Sequence, residues 1–282
     1  MKILVSPRDT DRRIENPEVG ESDEKHLVYL KDGDHNGRLF LFLPGHGNRP
    51  SDYEELLRTA MAAGYHVIGL EYINTGDSLS TQCGTCSECY YAVFKEIMYG
   101  RNESSMIEVG RPNSIVNRLV MLLAWLVQRH PDDGWGDYLV NGRPQWNKIV
   151  AAGHSHGSSQ AALIAKQKEV ARVVMFAGVG NGKDKMFESP TPPVHWVTRA
   201  RATPSNRYYG FVHQEDGIIQ RTLANWGALG LPGQPTLVNE STPPFGGSHR
   251  LVASDQQQKP HGAVAKNASY EKVWEYLIGG AS

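Results

Sequence analysis

Gly153-His154-Ser155-His156-Gly157 sets a serine between two glycines, and its flanks make that serine a candidate nucleophile. A β-prone apolar run, Ile149 to Ala152, leads into the pentapeptide, and an alanine-rich helix-former follows it. Strand, G-x-S-x-G and helix in that order present a serine on a sharp, strained turn. Small residues two positions before and after it are needed because strand and helix approach so closely there. A serine hydroxyl is a poor nucleophile until a histidine takes its proton, and a carboxylate must fix that histidine's tautomer and stabilise its charged form. With 11 histidines and 30 acidic residues available, residue type alone selects neither partner, and the elements that carry them have to decide.

The bounds are set by size and charge. A chain of 282 residues with 40% hydrophobic content can bury one large α/β core. A net charge of −1 gives no basic field toward nucleic acid or an anionic membrane. Leu119 to Val127, the longest apolar stretch, falls short of the roughly 18–20 residues that span a bilayer. Met1 to Pro7 does not read as a signal peptide.

In chain order, residues 6–25 read as an irregular lead-in, and 26–43 as a β-hairpin: a strand His26–Leu30, a turn rich in Asp and Gly, and an apolar strand Arg38–Leu43. The glycine-rich Pro44-Gly45-His46-Gly47-Asn48 follows. Ser51 to Glu54 has the S-x-x-E form of a capping box opening a helix that Gly64 stops, and Tyr65–Tyr72 is the next strand. Strand, glycine loop, helix and strand make a βαβ unit of a parallel sheet. Residues 74–113 are too long for a connection and read as an insertion above the sheet, with an amphipathic helix near Tyr90–Tyr99. Ser114–His130 is a helix with Ile115, Leu119, Leu122, Leu123 and Leu126 on its buried stripe. Asp132–Pro144 reads as a surface loop with Trp135 and Tyr138. Later elements are strands at Ala171–Gly178 and Arg207–His213, a helix through Leu223 and Trp226, a last strand His249–Ala253, a polar loop through Lys259-Pro260-His261-Gly262, and a C-terminal helix Tyr270–Ile278. The whole, 1–282, is read as a single domain with 74–113 inserted in it.

All three cysteines fall in the insertion as Cys83-x-x-Cys86-x-x-Cys89. A metal or iron–sulfur site lacks a fourth ligand nearby, and a redox pair belongs to a different topology. A local Cys83–Cys89 disulfide with Cys86 free is the preferred reading, which points to an oxidising compartment, secreted or periplasmic.

Over roughly residues 26–278, element order and motifs resemble the α/β-hydrolase superfamily of serine hydrolases. The resemblance is carried by the Gly153–Gly157 pentapeptide, the Pro44–Gly47 loop, Asp216 after a strand and His261 in a late loop. It implies an α/β fold, a mostly parallel central sheet with helices on both faces and a cap-like insertion. It also implies a triad in the order nucleophile, acid, histidine: Ser155, Asp216 and His261. Glu215 and Asp184 are the rival acids. His213 and His249 read as strand residues, and His154 and His156 flank the nucleophile with side chains directed away from its hydroxyl. The backbone N–H groups of His156 and of His46, with Gly47 next after His46, are the candidate oxyanion donors.

Carboxylic-ester hydrolysis needs only this machinery, so a carboxylesterase is the expectation, on small or polymeric esters in the manner of a lipase, cutinase or polyesterase. No cofactor and no metal are called for, and neither nucleic acid nor a membrane span is expected. A peptidase, amidase or thioesterase on the same fold, a transferase using a non-water acceptor, or a non-catalytic binding protein are the alternatives. Trp196, Trp226, Tyr208 and Tyr209 are candidates to line a pocket.

Overall fold

Alternation along each strand sorts its residues between two apolar cores. Leu39, Leu41 and Leu43 enter one, and Phe40 and Phe42 the other. The computed structural model describes residues 1–15, 24–31, 33, 35–180 and 190–279. Its strands are β1 (Lys2–Val5), β2 (His26–Tyr29), β3 (Leu39–Leu43), β4 (His66–Gly69), β5 (Leu139–Val140), β6 (Arg143–Pro144), β7 (Ile149–His154), β8 (Arg172–Phe176), β9 (Tyr208–His213), β10 (Thr236–Leu237) and β11 (Arg250–Ala253). The α-helices are α1 (Pro7–Thr10), α2 (Glu54–Ala62), α3 (Leu79–Cys83), α4 (Ser87–Tyr99), α5 (Ile115–Arg129), α6 (His156–Gln167), α7 (His195–Thr198), α8 (Ile219–Leu229), α9 (Pro260–Lys266) and α10 (Glu271–Ile278).

Among the described residues nine strands form one sheet in the order β1-β2-β4-β3-β7-β8-β9-β11-β10. From β4 to β10 every pairing is parallel, while β1–β2 and β2–β4 are antiparallel. The fold is α/β. Helices α4 to α8 bury against one face, and α2, α9 and α10 against the other. Strands β3 and β7 are buried along their whole length, as central parallel strands covered on both faces must be.

Residues 26–43 are not a hairpin. β4 lies between β2 and β3, antiparallel to the first and parallel to the second. Turn-rich residues between two apolar runs permit a hairpin, but a strand apolar on both faces belongs in a sheet centre, and β3 takes that place beside β7. Ahead of the lead-in, Lys2–Val5 forms strand β1, which pairs with β2 at the sheet edge, and within the lead-in Pro7–Thr10 forms α1. The capping box expected at Ser51 is not formed there: a 3-10 turn spanning Pro50–Tyr53 with Arg49 as its cap precedes α2, and Asp52 accepts from the N–H of Arg49. Trp135 and Tyr138 are fully buried rather than on a surface loop. Both rings pack on His66, and Tyr138 hydrogen-bonds its Nδ1.

Between β4 and helix α5 the chain builds α3 and α4, and Cys83 and Cys89 form a disulfide across their junction with Cys86 free and exposed. Helix α5 begins at its Ser114 cap, and the five apolar residues read as its stripe are all fully buried. Among the described residues no helix is long and apolar enough to cross a membrane.

Candidate active site

Ser155 sits at the junction of β7 and α6 with φ 53° and ψ −113°, a backbone conformation rare for any residue with a side chain. Close approach of three segments holds it there. A Cβ on Gly153 would lie 2.3 Å from the carbonyl carbon of Gly157, and a Cβ on Gly157 would lie 1.9 Å from the carbonyl oxygen of Leu43 in β3. The N–H of Ser155 donates to the carbonyl of Phe176 in β8, which ties the turn to the next strand.

The structure brings Ser155, His261 and Asp216 together. Ser155 Oγ lies 2.8 Å from His261 Nε2, and His261 Nδ1 lies 2.7 Å from Asp216 Oδ2. An ionised carboxylate only accepts, so Nδ1 carries a proton, and the Nε2 of a neutral ring then accepts from the serine hydroxyl. Asp216 is buried just after β9, where its Oδ1 takes the N–H of Ile218 and its own N–H donates to the carbonyl of His213. His261 does not lie in a free loop: Pro260 opens α9 and His261 occupies its first turn. Glu215 is exposed, and Asp184 lies outside the described residues. His213 and His249 serve packing. The first bonds the carbonyl of Asp255, and the second bonds that of Tyr208 while stacking 3.7 Å from the Tyr209 ring.

The glycine loop after β3 is anchored from several sides. Tyr72 donates to the carbonyl of Pro44, and Asn74 Nδ2 to the carbonyls of Gly45 and Asn48. Gly47 N–H donates to the carbonyl of Asn74, which removes it as a free donor. The N–H groups of His46 and His156 have no hydrogen-bond partner among the described residues, and His156 opens a helix whose first-turn amides and dipole favour an anion.

His154 and Tyr53 link these parts in a way the sequence reading did not find. His154 Nε2 lies 2.8 Å from the carbonyl oxygen of His261, so that nitrogen must carry the proton. Nδ1 is then an acceptor and takes the Tyr53 hydroxyl at 2.9 Å, leaving the tyrosine oxygen to accept the N–H of Gly45. Glycine loop, serine turn and α9 are thus wired in one direction. Burial drives the His154 imidazole down to about 3, with the neighbouring His261 adding to the effect, so the ring is neutral as this wiring requires. The His156 side chain is also driven to about 3 by burial, and it packs between Tyr72 and Phe94, away from Ser155 Oγ.

Trp196, Trp226 and Tyr208 are fully buried. Trp226 donates to the carbonyl of Gly178 and covers Gly210, so it is core. Among the described residues no group of three metal-ligating side chains occurs.

A mostly parallel sheet whose central strand ends in a serine turn, with acid and histidine placed after later strands, defines the α/β-hydrolase fold. No protein-family model and no curated protein matches the chain. Among solved structures it is similar to an alpha-beta serine hydrolase homologue from Coxiella burnetii (13% identity, covering 97% of this chain and 95% of that one, TM-score 0.46). Similar too are a dienelactone hydrolase from Anabaena variabilis (15%, 98% and 98%, 0.44) and an esterase from Pyrococcus furiosus (12%, 100% and 91%, 0.49).

Proposed function

We propose that the protein is a serine hydrolase that cleaves carboxylic esters through an acyl-enzyme. The observation that carries this reading is the hydrogen-bonded chain Asp216–His261–Ser155 ending at a serine on a strained strand-to-helix turn. In the reaction Ser155 Oγ attacks the ester carbonyl carbon while its proton passes to His261 Nε2. Asp216 holds the ring and stabilises the imidazolium. The carbonyl oxygen becomes an oxyanion and is met by the N–H groups of His46 and His156. His261 Nε2–H then protonates the departing alcohol oxygen, and water activated by the same nitrogen releases the acid from Ser155. Ester chemistry is favoured because these groups suffice for it. In this reading chain 1–282 is one α/β-hydrolase domain, the 74–113 insertion is a cap, and the Cys83–Cys89 disulfide fits maturation in an oxidising compartment.

Hydrolysis of p-nitrophenyl acyl esters from acetate upward tests the proposal, with Ser155→Ala alongside. The expected result is turnover of short or medium esters that falls on the order of 10³-fold or more in the variant, with fluorophosphonate labelling of the wild type alone. A folded wild type that is inert to the esters and to the label would overturn it.

A further inference from the structure

His156 and Gln160, one turn apart at the start of α6, are buried and carry side-chain atoms without a partner among the described residues. His156, Gln160 and Gln167 share one face of that helix, and α4 lies across it. At the far end Tyr99 of α4 donates to Gln167 Oε1. At the near end the Phe94 ring lies 5.4 Å from that of His156 and 6.1 Å from that of Trp196 in α7. Gln160 falls between, with no exposed surface. Neither Gln160 Oε1 nor Gln160 Nε2 has a partner among the described residues, and the same is true of His156 Nε2 and Trp196 Nε1. Native proteins rarely leave such atoms unmet, and a carboxamide stripped of water on both its ends is costly unless something hydrogen-bonds it.

Place and charge say what that something is. His156 also bears the backbone N–H proposed to hold the oxyanion, and Gln160 stands one helical turn further along α6, so the acyl side of the proposed site leads toward this cluster. The leaving oxygen must reach His261 on α9, which packs with α2 and α10 on the other face of the sheet, whereas Phe94 and Trp196 belong to the α4-to-α8 face. The acyl chain, and not the alcohol, therefore runs toward Gln160. None of the four unpartnered atoms belongs to a charged group, since burial keeps His156 neutral. A neutral group that both donates and accepts fits them: a hydroxyl.

We propose that His156, Gln160 and Trp196 form an acyl subsite for a hydroxyl group, so that esters of hydroxylated short-chain acids are the preferred substrates. The inference rests on the serine-hydrolase reading above. The hydroxyl donates to Gln160 Oε1 and accepts from Gln160 Nε2 or Trp196 Nε1. Helix α4 covers the subsite, and the substrate enters with a shift of that helix.

The test compares kcat/KM for two matched pairs of p-nitrophenyl esters, butyrate with 3-hydroxybutyrate and hexanoate with 6-hydroxyhexanoate, in wild type, Gln160→Leu and Trp196→Phe. Wild type is expected to favour the hydroxylated member of at least one pair by about tenfold, the effect of one well-made hydrogen bond. Gln160→Leu is expected to bring that ratio to about one and Trp196→Phe to lower it, while Gln160→Leu raises the thermal midpoint by removing an unpaired amide. A wild-type ratio of one or less in both pairs, or a ratio unmoved by both variants, overturns the subsite and leaves the hydrolase standing. Failure to cleave any of the four esters, together with no fluorophosphonate labelling of Ser155, overturns the hydrolase reading and the subsite with it.

Discussion

Replacing Tyr53 by Phe removes one oxygen and two hydrogen bonds. The Gly45 N–H loses its acceptor at 3.2 Å and His154 Nδ1 its donor at 2.9 Å, and both are left buried. Each such group costs about 1–3 kcal/mol, so Tyr53→Phe is expected to lose about 2–6 kcal/mol of stability. Its effect on rate follows from what the bonds hold. Gly45 precedes His46, whose N–H is the proposed oxyanion donor, and that interaction is strongest in the transition state. Loosening the loop should lower kcat by roughly tenfold and leave KM nearly unchanged. His154→Gln keeps an acceptor for Tyr53 and a donor for the His261 carbonyl, and is expected to lose less on both counts. Urea denaturation beside steady-state kinetics on p-nitrophenyl butyrate measures both quantities. A Tyr53→Phe protein with wild-type midpoint and wild-type kcat would refute the reasoning, and a rise in KM alone would show that Tyr53 shapes substrate binding instead.

Stability should peak near pH 6.5. His154 and His156 are each held at about 3 by burial, against 6.5 in the unfolded chain, and burial keeps His26 well below its usual value too. The unfolded chain binds the extra protons, so their stabilisation is complete above pH 6.5 and is lost as pH falls toward 3, at roughly 2 kcal/mol per histidine by pH 5. Glu71 has the opposite sign: burial first, and then the nearby Glu24, raises it to about 9. Its contribution is complete below pH 4.5 and is lost as pH rises toward 9. Glu71→Gln is expected to abolish the alkaline decline and steepen the acid one, whereas equal urea midpoints at pH 5, 6.5 and 9 in the wild type would contradict both assignments. Thiol titration of the unfolded, unreduced protein should find one free thiol, Cys86, and three after reduction. Three before reduction would disprove the bridge.

The proposed reactive centre was legible because its parts are local or ordered along the chain. The turn at Ser155 is written in five consecutive residues: Gly153 answers to a contact with Gly157 itself, and the contact of Gly157 with Leu43 of β3 adds to it only in the folded sheet. Asp216 and His261 each follow a strand recognisable by its own apolar run, so the order implied by the α/β-hydrolase resemblance was enough to nominate them. The pairing of β2 was not legible, because alternation tells a strand which faces it has and not which neighbour it takes. The helical setting of His261 was hidden by Pro260 and Gly262, which read as turn formers until the first turn of a helix claims them. His154 lies 101 residues from Tyr53 and 107 from His261, and no periodicity connects such positions.

By itself, then, the sequence determined the serine turn, the apolar faces of the strands and the order of the proposed site residues, which depend chiefly on patterns along the chain. Only the tertiary structure decided which N–H groups stay free, which imidazole nitrogens carry protons, and which buried amide is left without a partner. Those depend on what distant segments bring within hydrogen-bonding distance, and only the packed sheet and its two layers of helices set that.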